Sequence, residues 1–175
     1  MTENGIGTLV PRDGEFRMKL ARGFSLIELL IVVAIILVIA AIAVPSYLHA
    51  RIEANESSAV GGLRTLNTAQ VTYSSAYPTI GFASSLSALG GTSCSPPDPT
   101  SACLIDTVLA GGSKSGYTYS ISGAAGTPTA TYQFIANPLL WNVSGIRYFC
   151  SFQDAVVRAS LTNITTCDAS VPSLN

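Results

Sequence analysis

Residues 23–44 read GFSLIELLIVVAIILVIAAIAV, and this stretch decides the architecture of the chain. From Leu29 to Val44 every residue is apolar, and extending the run to Phe24 and Leu48 admits a single charge, Glu28. A helix over Phe24–Leu48, rising ~1.5 Å per residue, is long enough to cross the ~30 Å hydrocarbon core of a bilayer. The basic residues Arg12, Arg17, Lys19 and Arg22 all precede it. The positive-inside tendency puts that end in the cytoplasm and everything after Leu48 outside. An unpaired carboxylate among lipid-facing residues costs ~2.5–3.5 kcal/mol on insertion scales, so Glu28 is expected to have a function and a partner.

Beyond Leu48 the pattern changes. Ile52, Ala59, Val60, Leu63, Leu66, Ala69, Gln70 and Tyr73 recur at three-four spacing, with Glu53, Glu56, Arg64 and Asn67 between them. That predicts one helix from residue 24 to about 76, its second half amphipathic and laid against a globular domain. Pro45 removes a backbone donor and predicts a kink or a local loss of helix, and Gly61-Gly62 a second weak point. Pro78 ends the helix. Residues 78–115 form a Ser/Gly/Pro-rich connector whose apolar pieces Phe82–Leu89 and Leu104–Leu109 suit short helices. After Gly116 the alternation of Tyr117, Tyr119 and Ile121 predicts strand. Tyr132, Phe134 and Ala136, then Ile146, Tyr148 and Cys150, repeat that period, and Ala155–Leu161 suits a further strand. Turns are expected at 123–127 and 137–145. The fold class is α+β: a helix spine followed by a small antiparallel sheet.

The whole chain has 175 residues, of which 11% are charged and 48% apolar. Typical soluble domains carry roughly 25% charge. A net charge of −1 argues against nucleic-acid binding by phosphate neutralisation. Four cysteines in a segment placed outside the cytoplasm suggest two disulfides, with three pairings open. The local ones, Cys94–Cys103 and Cys150–Cys167, are preferred. A zinc site competes poorly: there is no C-x-x-C, and the one histidine, His49, lies far away in sequence. No cofactor is expected. No Ser-His-Asp or Cys-His arrangement presents itself, and the Gly-Gly pairs lack phosphate-loop spacing, so an enzyme is not expected.

Basic residues directly before a glycine, an aromatic after it, and an acid five positions on occur together in Lys19-Leu-Ala-Arg-Gly23-Phe24-Ser-Leu-Ile-Glu28-Leu29. This run resembles the processing site of type IV prepilins and of type II secretion pseudopilins. The resemblance implies a type IV pilin fold, with residues 1–23 a cytoplasmic leader that is removed. Residues 24–48 would be the transmembrane and filament-core half of the helix, and 49–77 its amphipathic half. Residues 78–115 would be the loop between helix and sheet, and 116–175 the sheet with a C-terminal disulfide loop. It further implies that a prepilin peptidase in the membrane cuts between Gly23 and Phe24 and methylates the Phe24 amine. Glu28 would then meet the Phe24 amine of a neighbouring subunit inside a helical homopolymer, and Pro45 falls where the family's helix loosens during assembly. The implied partners are other copies of the chain, the peptidase, the inner-membrane pilus assembly machinery, and lipid before assembly. The implied location is the inner membrane as a single-pass precursor, then an extracellular pilus or a periplasmic pseudopilus.

Such leaders are commonly short, so translation from Met18, or a tolerated extension, is expected. Of the two filament types a pilus is preferred, because Asp154 and Asp168 are the only acids after Asp106 and pseudopilins tend to bind calcium through clustered C-terminal acids. Two plainer readings compete. A secretory signal peptide with Ala41-Ile42-Ala43 as its cleavage site leaves Glu28 inside the apolar region and Pro45 just past the cut. A plain single-span anchor displaying a β domain explains the length but neither Gly23 nor Glu28.

Overall fold

The computed structural model describes residues 23–91 and 94–174. The basic cluster and the Met18 start lie outside the described residues. The chain divides between Ala41 and Ile42 into two compact units, each described by itself.

One helix, α1 (Leu26–Ala76), contributes to both. In the first unit its side chains, from Leu26 to Ile39, are all exposed. The helix continues through Pro45, so a local loss of helix at this residue is absent from this conformation. It also continues through Gly61-Gly62.

In the second unit every residue of the predicted face, from Ile52 to Tyr73, is buried. Each large apolar side chain so buried contributes about 1.5–3 kcal/mol relative to exposure. Glu56 and Asn67, placed by the sequence between the buried positions, are buried as well, at 4% exposure each. Their burial rests on hydrogen bonds to distant segments, which helical periodicity does not encode. The helix ends one residue before Tyr77, ahead of Pro78.

The connector carries two short helices, α2 (Leu86–Leu89) and α3 (Thr107–Ala110), within or overlapping the predicted apolar pieces. Ser85 Oγ caps the first by accepting from the Ala88 N–H, and Asp106 Oδ1 the second from the Leu109 N–H. Gln70, fully buried, holds the connector to α1: its amide donates to the Ala83 carbonyl at 2.9 Å and accepts from the Ala83 N–H at 2.8 Å. Cys94 is bonded to Cys103.

Five antiparallel strands follow in chain order: β1 (Ser113–Lys114), β2 (Tyr117–Ala125), β3 (Thr131–Pro138), β4 (Tyr148–Phe152) and β5 (Arg158–Ser160). The two-residue β1 was not anticipated; it sits inside the connector and is too short for a period to show. Register sorts the strands into two faces. Tyr119 opposes Ala136, Ile121 opposes Phe134, and Ala136 and Phe134 oppose Phe149 and Ser151. Tyr117, Tyr119, Tyr132, Phe134 and Phe149 therefore share the face packed with α1. Tyr148 is a correction to the predicted aromatic stripe. It lies on the opposite face with Ile135 and Cys150, where Ile164 and Cys167 cover the sheet. Because β3 and β4 are buried on both faces, hydropathy alternation alone does not say which face a residue joins. The Cys150–Cys167 disulfide ties the C-terminal tail across that second face.

Gly62 is required for packing. A Cβ there would lie 2.7 Å from the Tyr119 hydroxyl and 3.0 Å from the ring carbons Cε1 and Cζ. That hydroxyl is itself buried without a hydrogen-bond partner among the described residues. Gly62→Ala is expected to gain up to ~1 kcal/mol of helix propensity and to lose more than that to overlap. The loss should shrink in a Tyr119→Phe background, where the nearest atom is gone. Thermal unfolding of the four-member mutant cycle measures this coupling, and strict additivity would argue against the contact.

Candidate functional site

The residues that the sequence marks for processing and assembly lie at the start of the first unit. Gly23, Phe24 and Ser25 precede the helix, and Gly23 has open space where a Cβ would stand. The Leu29 N–H donates to the Ser25 carbonyl at 3.2 Å, closing the first turn. Phe24 is 76% exposed. Glu28 falls in the first helical turn, where the helix dipole favours an anion. Ser25-Leu-Ile-Glu28 also has the spacing of a capping box, a signal the sequence reading missed, yet no reciprocal side-chain bond forms. Glu28 has no hydrogen-bond or ion-pair partner among the described residues.

Around this carboxylate the helix is apolar on every side, and none of its membrane-length window is buried. Among the described residues α1 is the one helix long and apolar enough to cross a membrane. A contiguous exposed apolar surface of this size marks a segment that belongs in lipid or against other helices. Gly23, Phe24 and Glu28 are thus brought together by local sequence alone. Pro45 and the four cysteines lie in the second unit, the cysteines as two closed local loops.

The second unit holds a polar junction that sequence reasoning missed. Glu56 Oε1 accepts from the backbone N–H groups of Ile146 and Arg147 at 2.9 and 3.0 Å, and Oε2 from Arg147 Nε at 2.7 Å. Burial pushes this carboxyl up, but the two backbone bonds and the guanidinium outweigh it and hold it below the ordinary value. Nearer the other end of the helix, Asn67 donates to Ser151 Oγ at 2.8 Å and accepts from the Tyr132 hydroxyl at 3.3 Å. The first locks the β3–β4 loop to the helix, and the second locks β3 and β4 to it. A hint was available in the sequence, since Glu56 and Asn67 fall beside the apolar positions, but their partners had no local signature.

A chain of α+β fold whose exposed apolar N-terminal helix bears one acid in its first turn is the class these features define. Residues 18–44 match the family described as the prokaryotic N-terminal methylation motif. The chain is similar to the type IV major pilin protein PilA of Myxococcus xanthus, 48% identical over 52 residues, which are 30% of this chain and 24% of that protein. It is also similar to the type IV wide pilus major component PilA4 of Thermus thermophilus, 55% identical over 40 residues, 23% of this chain and 30% of that one. The matches therefore span under a third of either relative's length. No solved structure matches the chain significantly. Over the N-terminal segment the resemblance to type IV pilins is borne out.

Proposed function

We propose that this chain is the structural subunit of a type IV pilus, processed after Gly23, N-methylated on Phe24 and polymerised through its N-terminal helix. The observation that carries the reading is Glu28 without a partner among the described residues, on an exposed apolar helix, five residues past Gly23, inside the segment that matches the methylation motif. In the precursor, residues 24–48 sit in the inner membrane with the leader in the cytoplasm, and lipid covers the apolar surface. A prepilin peptidase cuts at Gly23 and frees the Phe24 amine. Assembly machinery in the inner membrane then moves the subunit from lipid into a helix bundle, where other copies replace lipid around residues 24–48. In that dry core each charge needs a partner, and Glu28 of one subunit and the Phe24 amine of its neighbour supply each other's. Pro45 leaves one carbonyl without its helical donor, so the helix loosens there at little cost when subunits pack. The role is structural rather than enzymatic; adhesion, motility and DNA uptake are the activities such a filament serves.

Mass spectrometry of the N-terminal peptide of protein recovered from cells tests this. The expected mature end is Phe24 carrying one added methyl. A start at Val44 would mark a secreted domain, and an intact Met1 or Met18 end a simple anchor; either removes the filament reading.

A further inference from the structure

The β3–β4 loop exposes four large apolar side chains close together, Leu139, Leu140, Trp141 and Val143, each between 53% and 63% accessible. Most of the loop's backbone N–H groups are paired within the fold. The Leu140 N–H donates to Ser144 Oγ, the Asn142 N–H to the Gly145 carbonyl at 2.8 Å, and the Val143 and Ser144 N–H groups to the Leu140 carbonyl. Asn55 of α1 donates to the Ser144 carbonyl at 2.9 Å and fixes the loop to the helix. Asn142 adopts φ +63°, which tightens the turn and keeps its neighbours outside. Such a loop presents apolar side chains with most of its backbone donors met, which lowers the cost of entry into a lipid interface.

Its position along α1 is equally specific. Leu139, Leu140 and Val143 line one recess with Arg51 and Asn55. Arg51 and Asn55 lie about 5 and about 10 Å beyond Leu48 along the helix axis, from ~1.5 Å per residue. A bilayer's polar interface adds ~5–7 Å on each side of the hydrocarbon core. The same unit's helix begins with Ile42, Val44, Tyr47 and Leu48, all at least half exposed. Two apolar features from distant parts of the sequence thus converge at one end of the unit, with Arg51 at headgroup depth and Asn55 just beyond it. Tryptophan is enriched at that depth, and Arg51 can keep its guanidinium among phosphates while its stem lies on apolar surface.

We propose that the 139–143 loop is a lipid-contacting foot: in the membrane-inserted subunit Leu139, Leu140, Trp141 and Val143 enter the outer part of the leaflet from which residues 42–48 emerge. The inference rests on reading residues 24–48 as a membrane span. The foot adds interfacial burial to the span, and leaving the bilayer for a filament requires withdrawing it.

Trp141 is the only tryptophan, so the full chain reports on itself. The protein is reconstituted in vesicles of phosphatidylcholine and phosphatidylglycerol, with a spin label on the acyl chain near the headgroup. Trp141 emission is expected at shorter wavelength than in a Leu139→Ser/Leu140→Ser variant. It should be quenched by the labelled lipid, shielded from acrylamide, and unchanged as protein is diluted in lipid. The variant should lose lipid quenching and regain acrylamide access. Full acrylamide access in the parent, with the protein retained after alkaline carbonate washing, overturns the foot and leaves the span standing. Shielding that fades on dilution assigns the loop to a second copy and also overturns it. Release by carbonate removes the span reading and the foot with it.

Discussion

Glu28→Ala is expected to accumulate in the membrane at normal abundance while the yield of filament falls to a small fraction of the parent's. Insertion becomes easier, because the substitution removes a charge that costs ~2.5–3.5 kcal/mol within lipid on insertion scales. Assembly becomes harder for the opposite reason. On the proposed pairing, the Phe24 amine of the adjoining subunit would enter the bundle core with nothing to neutralise it, and breaking a buried pair by removing one member costs ~3–5 kcal/mol. At 1.4 kcal/mol per factor of ten this is roughly a hundredfold to several-thousandfold weaker addition of each subunit. Glu28→Gln keeps the shape and loses the charge, so it should fail nearly as completely, whereas Glu28→Asp should recover part of the yield. Sheared filaments quantified against membrane-bound subunit give the readout. Filaments at parental yield from Glu28→Ala would count against the pairing while leaving the proposed cleavage after Gly23 untouched.

Glu56→Ala is expected to be the most destabilising single change at a polar position of the second unit. It strands the part-buried N–H groups of Ile146 and Arg147, each worth at most about 1–3 kcal/mol when left unmet. The Arg147 side chain is 45% exposed, so the ion pair itself adds little after solvent screening. A net loss of ~2–4 kcal/mol corresponds to a drop in melting temperature of roughly 10 °C for a domain of this size. Arg147→Ala should cost distinctly less, because the backbone bonds to Glu56 survive it. Acid supplies a second signature. With its folded-state value held below the ordinary 4.5, Glu56 stabilises the fold fully above that value. This contribution is lost as pH falls from there through the lower, folded-state value. Glu56→Gln should flatten the melting-temperature profile across that window. A Glu56→Ala protein that melts with the parent would show that the junction does not hold the loop.

Much of the architecture was legible before any coordinates. The helix predicted over 24–76 is Leu26–Ala76, and all eight residues of its predicted inner face are buried. Both connector helices and the sheet after Gly116 were also readable. Legibility failed where a residue's environment came from afar. Phe149 rather than Tyr148 faces the helix, because only the pairing of Ala136 with Phe149 fixes the parity of β4. The outward set of Leu139, Leu140, Trp141 and Val143 looked like an ordinary long turn, since its inverted polarity depends on Asn55 and on hydrogen bonds within the loop.

What the sequence by itself determined is whatever neighbouring residues encode: the apolar run, the glycine and acid that bracket its start, the buried stripe of α1 and the strand-forming segments. Helical and strand periods are short-range properties, so neighbouring residues suffice to encode them. What only the tertiary structure decided is the partnering of buried polar groups and the second covered face of the sheet. Glu56 meets Ile146 across 90 positions of chain, and Cys167 closes over β4 from the tail. Such contacts follow from how the chain folds back on itself, because a buried donor or acceptor must be met by whichever segment the topology brings to it.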